Sequence, residues 1–283
     1  MLAMVTLSLG FASCESSDED VTPSHADAVN GFAPADNDNS ETAQIRRNFY
    51  SKTGSYLIFN DTLTTRNLDG KPELLDHNWA IFGSQSFNDY DYKFGYITDP
   101  ARQRKVADDV EKYLVKRLGK ARPFSYFLVD EVYYDYYGSK KVVKNLLGMR
   151  TYLLTVCPEG QEPESFYGDI FVSIVIDKFN RLDASITKAF TEDVENLYYA
   201  YFEDLGLPED GPIENAWEYG FLSYVDEYYW DYFPNKESDT KEWLQTLISM
   251  TSEEFEAKYG TYPILMKRYK ALTKIISDLG IEL

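Results

Sequence analysis

The chain has 283 residues and a formal net charge of −19, with 47 acidic against 28 basic side chains. With no basic cluster to set on one face, that balance excludes nucleic acid as a partner and gives no electrostatic attraction to an anionic membrane. Only two cysteines and two histidines are present (Cys14, Cys157, His25 and His77), which excludes a thiolate zinc centre and any pair of histidines four residues apart.

Met1 to Ser13 is uncharged and mostly apolar, and it ends Phe11-Ala12-Ser13 directly before Cys14. Small residues ahead of a cysteine resemble the cleavage box of a bacterial lipoprotein signal, in which Cys14 becomes the lipidated first residue, although the usual basic n-region is missing. Such a short stretch is too small to span a bilayer as a helix. Residues 15–42 open with Glu15-Ser16-Ser17-Asp18-Glu19-Asp20 and continue rich in Asp, Asn, Ser, Ala and Pro. That composition cannot bury enough apolar surface to fold and reads as a disordered acidic tether. An acidic run behind the lipidated cysteine also resembles the signal that exports some lipoproteins to the cell surface; a plain solvated spacer is the alternative. The remainder, 43–283, reads as one domain with two lobes, without a linker or repeat.

Within that domain the spacing predicts a helix over Ala43 to Lys52 and a strand over Ser55 to Asn60. Asp99-Pro100 reads as the cap and first position of an amphipathic helix through Val106, Val110, Leu114 and Leu118, stopped by Gly119. Strands are expected near Phe124 to Tyr134, Met149 to Val156 and Ile170 to Ile176, with Cys157 a buried, inert thiol. Asp183 to Leu205 places Ile186, Phe190, Val194, Leu197, Tyr201 and Leu205 at the three-and-four spacing of a central buried helix. Helices follow over Glu237 to Met250, Thr251 to Tyr259 with the capping box Thr251-x-x-Glu254, and Pro263 to Leu279. The class is α+β.

The turn Thr191-Glu192-Asp193-Val194-Glu195, the block Ala216-Trp217-Glu218-Tyr219-Gly220-Phe221-Leu222-Ser223 and the step Glu253-Glu254-Phe255 carry a resemblance. From about Ile45 to the C-terminus the chain resembles the zinc-binding metallopeptidase lipoproteins of bacteria, also described as substrate-import-associated zinc metallohydrolase lipoproteins. Their zinc helix carries His-Glu-x-x-His, because residues four apart project to one side and two imidazoles then grip one ion. The resemblance implies a zincin-like fold, with a β-rich N-terminal lobe, a central helix and a helical C-terminal lobe. It also implies an outer-membrane location and a TonB-dependent uptake complex as partner. Carried over, the two histidines fall on Thr191 and Glu195, the general base on Glu192, and the third, acidic ligand near Ser238, one residue from Glu237 and Asp239. This is the pattern of a degenerate member, with Glu192 a vestigial base and no metal cofactor. Two other readings stay open: a working hydrolase with a carboxylate site around Glu192 and Glu195, suited to calcium or magnesium, and a structural accessory of an uptake complex.

Between Trp217 and Phe233 aromatic rings are dense. Trp217, Tyr219, Tyr228, Tyr229 and Trp230 are candidates for stacking on sugar rings or gripping peptides, since each has a flat apolar face and a polar edge. The competing reading is that the same rings cover the cleft side of the central helix.

Overall fold

A computed structural model of the protein describes residues 31–66, 71–75, 91–208, 211–227 and 230–283; Cys14, His25, His77, Tyr228 and Tyr229 lie outside them. The first part of the chain runs α1 (Glu41–Thr53), β1 (Tyr56–Ile58), β2 (Thr62–Arg66), β3 (Pro72–Leu74), β4 (Lys93–Tyr96) and α2 (Pro100–Val110). Helix α2 continues through a π-helical turn (Glu111–Val115) into α3 (Lys116–Leu118), followed by β5 (Ser125–Tyr136), β6 (Ser139–Val143), β7 (Asn145–Leu147) and β8 (Thr151–Thr155). The second part runs α4 (Pro163–Asn180), α5 (Ala184–Thr191), α6 (Glu214–Glu218), β9 (Val225–Glu227), β10 (Trp230–Tyr232), α7 (Lys236–Ser249), α8 (Ser252–Tyr259) and α9 (Pro263–Asp278). The fold is α+β, with the large sheet ahead of a helical second half.

Strand β5 is the spine of a six-stranded mixed sheet among the described residues. Its first half lies between the parallel partners β1 and β8, and its second half between the antiparallel partners β4 and β6; β7 adds to β8. Tyr126 and Leu128 join the main core under α1, α2 and α4, while Phe127 and Val129 join a smaller core with Leu63 and Leu75. Burial on both faces explains why this segment reads as a continuous apolar run rather than an alternation.

Local signals set the helix starts. Asp99 Oδ2 accepts from the Arg102 amide at 2.9 Å ahead of Pro100. Thr251 and Glu254 form the expected capping box, with bonds of 3.2 and 2.9 Å. The tail helices α7, α8 and α9 fall where the sequence places them. No helix among the described residues is long and apolar enough to cross a membrane.

Three expectations require correction. The run Ile170 to Ile176 is not a strand but the middle of α4, whose buried residues Phe166, Ile170, Phe171, Ile174, Val175 and Phe179 follow helical spacing. A continuous apolar stretch does not separate the two structures by period, and packing against the π turn and α7 overrides the β-branched preference. The packed body also begins earlier than residue 43: the Phe32 ring meets Phe124 edge-on at 5.2 Å, and the Phe32 carbonyl accepts from Arg46 at 2.7 Å.

The third correction concerns Asp183 to Leu205. Helix α5, capped by Asp183, stops at Thr191, and short 3₁₀ turns at Glu195–Leu197 and Glu203–Leu205 follow. Phe190 and Val194 are buried as their spacing predicts, but Ile186 and Tyr201 are exposed. Tyr199 takes φ = +63°, outside helical space. From there the chain extends and pairs with β10: the amides of Tyr199 and Phe202 donate to the carbonyls of Phe233 and Asp231, and the Phe233 amide donates to Ala200.

Candidate functional site

Two structures occupy the region between α5 and α9. The first is the turn that ends α5. Thr191 is buried, whereas Glu192 and Glu195 are exposed. Lys267, from α9, donates to Glu192 Oε1 at 3.0 Å and to Asp193 Oδ1 at 2.9 Å, and these bonds, Asp193's the larger, hold the ammonium above its ordinary range.

Beside this turn Arg268 is completely buried. Its Nε donates to the Phe190 carbonyl (2.9 Å), Nη1 to the Gly220 carbonyl (2.6 Å) and to Asp239 Oδ1 (3.2 Å), and Nη2 to Asp239 Oδ2 (2.5 Å). The guanidinium also lies 4.3 Å from the Phe190 ring centre and 4.9 Å from that of Trp243. The Tyr198 hydroxyl donates to Asp239 Oδ2 at 3.1 Å. Burial pushes the Asp239 carboxyl up, against the opposing pull of Arg268 and Tyr198. Gly220 turns its carbonyl to Arg268 with φ = +93°, and a Cβ there would stand 2.5 Å from Ile264 Cγ2, so only glycine fits.

These residues do not fit a zinc ion. Thr191 offers a neutral, buried hydroxyl, Glu192 is engaged by Lys267, and Asp239 is engaged by Arg268. The Arg268 cation is bonded to Phe190, next to the position the first imidazole would take, and a fixed positive charge there opposes a dication. Among the described residues no group of three or more His, Cys, Asp or Glu side chains is placed to hold a metal. Ser238 is exposed, and Glu237 lines a separate cleft of about 400 Å³ with Phe179, Thr187 and Thr240.

The block Ala216 to Ser223 builds the joint around this centre. Trp217 Nε1 donates to the Leu222 carbonyl at 3.0 Å, and its ring packs edge-on against Tyr259 and Tyr262. Phe221 stacks on Phe233 at 4.4 Å, and Ser223 Oγ donates to Glu242 at 2.6 Å. Tyr219 leans on Phe233. Trp217 and Tyr219, candidates for ligand binding from the sequence, both make packing contacts here and stay half-buried.

The second structure is a ribbon of three extended segments, 199–202, β10 and β9. Side chains alternate across it. Phe202 and Phe233 point inward with Val194 and Phe221, while Tyr199, Tyr201 and Trp230 are 61%, 46% and 52% exposed, with Tyr232 half-buried between them. Leaving a large apolar side chain in water forgoes about 2 kcal/mol of burial, and here several rings share one outer face. They form a ladder with centroid steps of 6.5 Å (Tyr199 to Tyr232), 5.8 Å (Tyr232 to Tyr201) and 5.9 Å (Tyr201 to Trp230). Tyr199 and Tyr232 lie within 21° of parallel, and Tyr201 stands on edge toward Trp230. Glu227, opposite Trp230 across the hairpin, accepts from the Tyr232 hydroxyl at 3.1 Å.

Of the sequence candidates, only Trp230 takes part in this ledge among the described residues. Tyr199, Tyr201 and Tyr232 were not among them. Their signal is the repeated alternation Tyr199-Ala200-Tyr201-Phe202 and Trp230-Asp231-Tyr232-Phe233, which has the period of strands. Compared with models of known protein families, with curated proteins and with solved structures, the chain matches none of them.

Proposed function

We propose that the chain is a lipid-anchored bacterial outer-membrane protein with a metallopeptidase-like body that has lost hydrolysis and binds a peptide or glycan for an uptake complex. The observation that carries this reading is the outward ring ladder, a surface for binding, beside a turn whose Glu192 and Asp193 are paired with Lys267. Hydrolysis by a zincin needs a metal to lower the pKa of water and to polarise the carbonyl; the glutamate only moves the proton. Glu192, tied to Lys267, is at most the second of these parts. The resemblance of the leader to a lipoprotein signal supplies the anchor at Cys14, and the family likeness supplies the uptake partner.

The decisive assay compares the parent with Glu192→Gln on denatured casein. Neither is expected to cleave it, and cleavage by the parent that Glu192→Gln abolishes would overturn the inactive reading. Cys14→Ala should move the protein from the membrane fraction to the soluble fraction. If the variant stays with membranes as fully as the parent, the anchor is elsewhere.

A further inference from the structure

We infer that the ring ledge of Tyr199, Tyr201, Trp230 and Tyr232 takes a neutral glycan. This rests on the binding role proposed above and names the class of ligand.

Charge comes first. Between Lys188 and Lys236 the sequence holds no lysine or arginine, while the segments forming the ribbon and its flanks carry Glu195, Glu203, Asp204, Asp226 and Glu227, all exposed. Uronates, sulfated sugars, phosphates and acidic peptides meet this negative charge with no cation from the ribbon's own segments to offset it. Backbone geometry comes second. Strand β10, which bears Trp230 and Tyr232, is hydrogen-bonded on one side to β9 and on the other to residues 199–202. An extended peptide gains its affinity from main-chain bonds at an open edge; β10, which carries two of the four rings, offers none, and the ribbon's outer edges on β9 and 199–202 lie to the side of the ring face.

A pyranose chain needs no edge. Each sugar presents an apolar C–H face that lies on an aromatic ring, and a rim of hydroxyls that donate to carboxylates and phenols. The ladder supplies both, with ring steps of 5.8 to 6.5 Å, of the order of one sugar residue in an extended chain. Glu227, already accepting from Tyr232, has its second oxygen as the charged acceptor beside Trp230.

The test is affinity electrophoresis of the full chain through gels containing a neutral glucan, a neutral mannan or polygalacturonate, with denatured casein binding measured in parallel. The expected result is retardation in a neutral gel and none in polygalacturonate. Trp230→Ala and Tyr199→Ala should each weaken retardation about tenfold, the loss of one stacking contact. Tyr137→Ala, which removes a still more exposed ring on the β5–β6 turn, should change nothing. Unchanged urea midpoints in the ring variants establish that folding is intact. Casein binding that depends on Trp230, with no retardation by either neutral glycan, overturns the glycan class and leaves the binding role standing. No ligand in any arm, or a dimer in sedimentation that Trp230→Ala dissolves, overturns both.

Discussion

The turn at Thr191–Glu195 and the ribbon that begins at Tyr199 are neighbours in sequence and opposites in physics. At the turn, charged groups are drawn inward or locked together: Arg268 and Asp239 sit in the core, and Lys267 covers Glu192 and Asp193. Along the ribbon, apolar rings stand in water. Interior charges survive when they are paired and hydrogen-bonded, and Arg268 has both an ion pair to Asp239 and bonds to two backbone carbonyls. Outward rings have no such internal account, which is why the binding proposal rests on them and not on the turn.

The largest expected effect breaks the first half of this contrast. Asp239→Ala leaves the guanidinium of Arg268 buried without its counter-charge and should cost about 3–5 kcal/mol in urea denaturation, while a double replacement by Arg268→Met and Asp239→Leu should recover much of the loss. A single variant as stable as the parent would show that the pair is not a closed buried unit.

A comparable effect separates the two faces of the ribbon. Phe202→Ala and Phe233→Ala should each cost about 3–5 kcal/mol through the cavity left inside, whereas Tyr199→Ala and Tyr201→Ala should stay within about 0.5 kcal/mol of the parent. Equal losses on both faces would mean that the outer rings are structural.

The next effect is one of pH. Burial raises the phenols of Tyr126, Tyr152, Tyr167 and Tyr198 above their ordinary value of 10.0. A folded pKa above the unfolded one means that the folded chain holds its proton longer. The associated stabilisation is therefore complete below pH 10.0 and is lost as pH rises through the folded values. Absorbance titration should show these four ionising only together with alkaline unfolding. Smooth titration of all tyrosines without a structural transition would contradict this.

The smallest effect sharpens the account of the turn. Lys267→Ala removes two exposed ion pairs, to Glu192 and Asp193, and such pairs contribute little; the urea midpoint should scarcely move. A large fall would show that Lys267 is a strut rather than a cover.

Much of the fold was legible where one local signal decides it. Asp99-Pro100, the Thr251 capping box and the apolar spacing after Pro263 place their helices without tertiary information. The failures share a cause. Residues 170–176 are apolar and β-branched, and only the packing partner selects helix. Residues 183–205 satisfy a helical period at Phe190 and Val194, and the same letters hide a two-residue alternation from Tyr199 onward. Trp230 stood out by ring density, but Tyr199 and Tyr201 disappeared into the mistaken helix. Lys267 and Arg268 gave no signal, since positive charges on a terminal helix read as solvated, and their partners lie far away in sequence, Phe190 and Glu192 among them.

The arrangement around β5 sets how the molecule opens. Four strands, β1, β4, β6 and β8, are zipped to this one segment, and its parallel partners come from distant stretches, Tyr56 and Thr151 both meeting Ser125. None of the four can keep its ladder to β5 if that strand leaves, so the sheet melts as one unit rather than from its edges inward. Amide protons of the buried run Tyr126 to Val129 should be among the slowest in the chain to exchange with solvent, at a rate governed by global unfolding. Because its parallel pairings close long loops, that same unit is slow to form.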